Sequence, residues 1–305
     1  MRQPAALSVS LRELRGLQAP AAAMSLQHLL KGRVPAAEGR VINQAGRGLE
    51  FHEVRNYQPG DDPRYLDWKV TARRGQAYTR VFADEHQRPV ALFVDQTSQL
   101  QFGSLASKAV IAARLAALLG WTAVGDKEKV GGWIETDQGS YWQSPRAGSA
   151  AYLRWLKRLT ECNQQLGSLQ ALPPGQLDRA LKGFMQRLPA SSLVIILSDF
   201  RNCRDTRLLQ QLARRHALLV IQLTDPLDQQ LPDLDAAVEI EGEQQPLDAS
   251  IREAWPQIFR EQQARLRQAL GRQGRFLEIS TRQEQQLPEL LLPGYNRKLS
   301  ANKVR

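Results

Sequence analysis

From residue 89 onward the chain alternates short, wholly apolar runs with longer stretches whose apolar residues recur every three or four positions. That is the pattern of a parallel sheet covered by helices. Residues 90–94, ending at Asp95, form the first predicted buried strand. Residues 193–197, followed by Ser198 and Asp199, form the clearest one, and residues 218–222, closed by Asp225 and Pro226, the next. A weaker strand is predicted at 237–240 and a last one at 275–279. Residues 104–124 place Ala106, Val110, Ala113, Ala117 and Trp121 at helical steps, with Ile111, Leu115 and Leu118 widening the apolar face. A helix buried on much of its circumference is expected there. Further amphipathic helices are predicted at 151–159, 177–188, 208–215 and about 251–270, and residues 130–135 and 140–143 flank turn formers and read as a hairpin.

The preceding stretch has another character. Residues 46–85 are polar, aromatic and turn-rich, with β-prone pieces at 50–54 and 78–82. The expected organisation is a basic N-terminal arm over 1–40, partly helical or disordered. A small β-rich element follows over 41–88, then an α/β domain over 89–285 and a basic tail over 286–305.

Composition narrows the functional classes. With 305 residues, 42% hydrophobic and 24% charged, the chain is an ordinary globular one rather than a disordered or disulfide-stapled one. Its two cysteines, Cys162 and Cys203, lack CxxC spacing and read as reduced thiols. No uninterrupted apolar run approaches the roughly 18 residues that span a bilayer, so no transmembrane helix and a cytoplasmic location are expected. The formal charge is +10, and the excess gathers at the two ends, in residues such as Arg12, Arg15 and Arg33 and in Arg297, Lys298, Lys303 and Arg305. Solvated arms and docking onto acidic surfaces both fit that distribution. A nucleic-acid partner is not expected, because the tryptophans are scattered and Trp121 and Trp155 fall at helical core spacings; peripheral membrane contact stays open.

Polar residues directly after apolar strands are the first candidates for chemistry, since ligands of open parallel sheets bind at the carboxyl ends of strands. Here they are Asp95, Thr97 and Gln99 after the first strand, Ser198 and Asp199 after the clearest one, and Thr224 with Asp225 after the next. An Asp-x-Ser-x-Ser loop joined by later Thr and Asp residues would surround a hard divalent cation with oxygens. Thr97 can replace a serine, whereas Gln99 reaches into such a shell from the wrong distance. If a metal binds at all, Asp95, Thr97 and Asp199 would hold it, and Mg2+ binding is expected to be weak. The alternative is a hydrogen-bonded cluster without metal.

A second dense group comprises Tyr57, Gly60, Asp61, Asp62, Arg64, Asp67, Trp68 and Arg73. Arg64 and Arg73 are positioned to pair with the carboxylates, and no histidine or cysteine accompanies them, so a structural ion-pair knot is favoured over catalysis. The histidines His28, His52, His86 and His216 show no HxxxH or HExxH spacing, and neither a phosphate-binding loop nor G-x-S-x-G occurs.

These residues resemble the DUF58 family, a von Willebrand factor A-like group often encoded beside MoxR-type AAA+ ATPases. The likeness rests on residues 51–68 with Arg73, on 90–95, 125–131 and 193–200, and on Asp225-Pro226 with Leu231-Pro232. It implies a three-layer von Willebrand A-like fold, a metal-ion-dependent adhesion site, and a MoxR-type ATPase, with other von Willebrand A-like proteins, as partners. Two departures stand out. Many such members carry a pair of N-terminal membrane helices, whereas residues 1–305 show none. Only Asp95, Thr97, Ser198 and Asp199 map onto the adhesion site, with Gln99 in place of a serine and Gly175-Gln176 where a threonine is usual. The expectation is a non-enzymatic interaction module that helps such an ATPase remodel or mature protein complexes. The rivals are a metal-dependent enzyme built on Asp61, Asp62 and Asp67 and a basic binder of nucleic acid or membrane surfaces.

Overall fold

The structure is a computed structural model that describes residues 8–26, 49–59, 61, 63–84, 87–167, 172–231, 237–240, 243–246 and 249–291. The chain divides into two units, residues 34–87 and the remainder, 1–33 with 88–305.

The larger unit opens with two short helices, α1 (Leu11–Gly16) and α2 (Gln18–Ala21). A capping box starts α1: Ser10 Oγ accepts from Glu13 N, and the Glu13 carboxylate accepts from Ser10 N. Composition assigns this stretch to a solvated arm, but Val9, Leu14, Ala21, Met24 and Leu26 are buried. Basic and acidic residues interleave with those few apolar positions and hide them in a charge count. Structurally, residues 8–26 belong to the folded unit.

In the smaller unit β1 (Leu49–Asn56) pairs antiparallel with β2 (Tyr78–Asp84), with a bulge between Phe51 and Glu53. Helix α3 (Trp68–Arg74) lies in the connection, unforeseen from the hydrophobic pattern. Asp67 caps it, its carboxylate accepting from Lys69 N and Val70 N at 3.1 Å each. Gly75 ends it at φ +70°, a left-handed conformation that glycine adopts without a Cβ clash.

The rest of the larger unit is a six-stranded sheet between two helical layers. In chain order it comprises β3 (Pro89–Asp95), α4 (Lys108–Gly125), β4 (Lys129–Thr136), β5 (Gly139–Arg146), α5 (Ser149–Gln164), α6 (Gln176–Met185) and β6 (Leu193–Ser198). Then come α7 (Arg207–Arg215), β7 (Ala217–Thr224), α8 (Pro226–Gln229), a two-stranded ribbon of β8 (Ala237–Ile240) and β9 (Glu243–Pro246), α9 (Ala249–Leu270), β10 (Gly274–Ser280) and α10 (Leu287–Leu291). The sheet order is β10-β7-β6-β3-β4-β5; all pairs are parallel except the β4–β5 hairpin. The short apolar runs thus became the central strands. The unit also extends past residue 285, since Leu287, Leu290 and Leu291 are buried.

Alternation along the strands sorts the core. Ala91, Phe93, Val194, Ile196, Leu218 and Val220 share one face and pack on Leu181 and Phe184 of α6, Leu209 and Leu212 of α7, and Leu266 and Leu270 of α9. The opposite face is covered by α4. That helix begins at 108 rather than 104 because Ser104 is drawn to Asp225, its N and Oγ each donating at 2.7 Å. Composition would let α4 reach across a bilayer, but 83% of it is buried inside the protein. Gly120 explains how closely α5 approaches: a Cβ there would lie 2.1 Å from Tyr152 Oη, which donates to Ala116 O at 2.7 Å.

Candidate functional site

The sheet order locates a crevice. From β3 the chain moves toward β4, and from β6 it moves the opposite way toward β7, although β3 and β6 are neighbours. Their carboxyl ends form the topological switch point, where open α/β sheets bind ligands. Asp95 ends β3, Ser198 ends β6 and Asp199 follows, so the sequence places its main candidates at this point.

Asp95 is nearly buried, 5% exposed, and receives only neutral donors among the contacts described. Ser198 Oγ donates to its Oδ2 at 2.6 Å; Thr97 Oγ1 and N donate to its Oδ1 at 2.8 and 3.1 Å. Burial, reinforced by the charge of Asp199, pushes the Asp95 carboxyl up to about 7 despite those hydrogen bonds. Its proton is thus held far more tightly than that of an ordinary carboxyl.

Its neighbours are neutralised from within. Lys108, the first residue of α4 and fully buried, places Nζ 3.2 Å from Asp199 Oδ2 and 2.8 Å from Asp228 Oδ2. Arg201 also pairs with Asp228, and its backbone N donates to Asp199 Oδ1 at 3.1 Å. Asp225 binds Ser104, Thr281 Oγ1 and Leu227 N, tying together the loops after β3, β7 and β10. Burial alone would raise its pKa, but these hydrogen bonds outweigh burial and hold the carboxyl below its ordinary value.

Between these groups lies a small cleft of about 10 Å³, lined by Asp95, Thr97, Gln99, Glu135, Asp199 and Asn202 among others. It has room for roughly one water-sized group. The donor set does not fit a tight divalent site. Both Asp95 oxygens are taken by hydroxyl and amide donors, and Asp199 is taken by Lys108 and the 201 amide. Glu135 accepts from Trp133 Nε1 at 2.9 Å, Ser140 Oγ at 2.6 Å and Gln176 Nε2 at 3.2 Å. Among the described residues no group of three or more His, Cys, Asp or Glu side chains is arranged to hold a metal ion.

The structure thus gathers Asp95, Thr97, Gln99, Ser198 and Asp199 in one place. The signature residues lie in the smaller unit. Asp61 is bound by Arg55 at 2.7 Å and accepts from Gln58 N at 2.9 Å. Arg73 is exposed in the last turn of α3, and Trp68 is 69% exposed. Tyr57 N donates to Ala77 O at 2.8 Å, and Arg64 sits in a single 3-10 turn, Pro63–Tyr65. Gly60 and Asp62 lie outside the described residues. Lys108, Asp228, Glu135 and Arg201 were not anticipated at the site. The available signal was a lysine opening a helix that is apolar apart from it, Arg114 and Thr122, since a buried charge demands partners.

Two kinds of comparison bear on identity. The chain is 29% identical over 195 residues to uncharacterized proteins of Mycobacterium bovis and Mycobacterium tuberculosis, covering 63% of this chain and 60% of each relative. It thus spans less than two thirds of those relatives. It is also 43% identical to the uncharacterized protein YeaD of Bacillus subtilis over 54 residues, 18% of this chain and 14% of that protein. The family described as "Protein of unknown function DUF58" matches residues 53–270, well over half of the length, and the chain belongs to that family.

Proposed function

We propose that the larger unit is a von Willebrand factor A-like domain and that the protein is a non-enzymatic docking module. In this reading it works in the cytoplasm with a MoxR-type AAA+ ATPase that remodels or matures protein complexes. The observation carrying this reading is the state of the switch point: an acidic rim whose carboxylates are held by internal hydroxyls, amides and Lys108. Asp95, Glu135 and Asp199 line a cleft that admits only the tip of a partner side chain. Among the described residues no histidine or cysteine lines that cleft. Cys203, nearby in sequence to Asp199, is kept as a thiol: burial, then Asp178, push its pKa up to about 12. A thiol so held is a poor nucleophile.

The test is a binding assay between the full chain and a purified MoxR-type ATPase, with and without nucleotide. Asp95→Ala and Asp199→Ala should each weaken the complex in variants shown by melting curves to be folded, whereas removal of residues 295–305 should not. Absence of any complex, or one indifferent to both aspartates, would remove the basis for this mechanism.

A further inference from the structure

A second concavity lies on the α7/α9 side of the sheet, between the 200–206 loop and α9, with a volume of about 200 Å³. Phe200 and Leu266, both buried, contribute to its lining. Phe200 turns inward at φ +60°, unusual for a bulky side chain, and its ring joins the core cluster. Trp255, Ile258 and Phe259 of α9 line the cleft as well; Ile258 is 46% exposed, and Trp255 is fixed by its Nε1 donating to Leu227 O at 3.2 Å.

Three arginines flank this apolar lining, and they differ in commitment. Arg201 lies over the Trp255 ring at 5.8 Å, but its charge is engaged by Asp228 and Asp199. Arg204 and Arg265 are exposed, and among the described residues neither side chain has an ion-pair partner. The cleft is smaller than the about 300–1,000 Å³ usual for small-molecule sites, so it suits one or two side chains of a peptide. An apolar lining beside two uncommitted guanidiniums is complementary to an apolar side chain flanked by carboxylates.

We propose that this cleft docks an acidic segment of a partner protein, with one aromatic or aliphatic side chain seated against Trp255, Ile258 and Phe259 and neighbouring carboxylates paired with Arg204 and Arg265. The site adjoins the rim through Arg201 and Asp228, whose charges pair with each other and with Lys108 and Asp199, but Asp95 does not line it. It shares with the docking reading only the premise that the ligand is a protein.

The probe is a panel of fluorescently labelled decapeptides, each with a central Phe, Leu or Trp flanked by Asp and Glu. Matched peptides carry Asn and Gln, or Lys, in place of the acids. Fluorescence anisotropy is measured on the full chain, with Trp255 emission as a second readout. Saturable binding is expected for acidic members, on the order of tenfold tighter than their neutral isosteres and weakened by salt. The double variant Arg204→Ser/Arg265→Ser and, separately, Ile258→Asp should each reduce affinity about tenfold; all three positions are exposed, so folding should persist. Asp95→Asn should leave peptide binding unchanged, which separates this site from the rim. The proposal is overturned if no acidic peptide binds, if neutral isosteres bind equally well, or if the variants bind like the parent. It is also overturned if these variants instead abolish binding to phosphatidylglycerol vesicles while no peptide binds, which would identify a lipid surface as the ligand.

Discussion

Lys108 Nζ lies 2.8 Å from Asp228 Oδ2, with the two residues 120 positions apart in sequence and both side chains withdrawn from solvent. The contact joins the start of α4 to the α8 turn, and Asp199 completes a triad around one ammonium. Removing one member of a buried, hydrogen-bonded ion group leaves an uncompensated charge, which costs about 3–5 kcal/mol. Lys108→Met should lower the denaturant midpoint accordingly, and Lys108→Met combined with Asp228→Asn should recover part of the loss. A single variant within about 0.5 kcal/mol of the parent would show that the triad contributes little.

A resident ammonium also bears on metal dependence. Because Lys108, Arg201 and hydroxyl donors already satisfy the rim acids, Mg2+ or Mn2+ at millimolar concentration should leave the melting temperature unchanged, as should a chelator. Ligand binding to the native state would raise it by mass action. Micromolar affinity by titration calorimetry, abolished by Asp95→Ala, is the result that would contradict this.

How much of this was legible in the sequence follows from how each feature is encoded. The central strands were legible because burial on both faces demands unbroken apolar runs, and residues 193–197 can be little else. Asp95, Thr97, Ser198 and Asp199 were legible because they follow such runs directly. Lys108 was not, since a lone lysine at a helix start normally reads as solvated, and its partners come from residues 199 and 228. Residues 8–26 were hidden by their charges. Helix α3 carries too little apolar periodicity to be seen; Asp67 before it and Gly75 after it were the usable signals.

In the smaller unit the structure assigns Asp67 a capping role that can be measured. Asp67→Ala removes the acceptor for Lys69 N and Val70 N and should cost about 0.5–2 kcal/mol. Asp67→Asn or Asp67→Ser, which keep a capping oxygen, should recover most of that. If neither recovers it, the carboxylate is used for something beyond the cap.

Asp61 and Arg55 make a half-shielded pair, with the guanidinium 30% exposed and the carboxylate 5% exposed. Asp61→Asn keeps an acceptor for Gln58 N and loses the charge, so it should cost less than Asp61→Ala, which leaves both that amide and Arg55 without this partner. Thermal melts of the two variants give the comparison. Equal losses would show that the ion pair, rather than the turn contact, dominates.

The raised pKa of Asp95 makes a claim about pH with a definite sign. Its carboxyl titrates near 3.8 when unperturbed and about 7 in the fold, so the folded state holds this proton more tightly than the unfolded chain does. The stability it contributes is full below about pH 4, declines as pH rises, and is lost above about 7. About three units of displacement correspond to an upper figure on the order of 4 kcal/mol. Asp225 is displaced the other way, so its contribution is lost only as pH falls below the ordinary carboxylate range. Between pH 4.5 and 7.5 the two effects are therefore separable. Asp95→Asn, a neutral mimic of the protonated acid, should gain stability relative to the parent as pH rises through that window and level off above it. Urea denaturation of both proteins at half-unit pH steps measures the difference directly. Parallel curves across the whole window would mean that Asp95 is ionised in the fold and that the rim is more negative at neutral pH than these contacts imply.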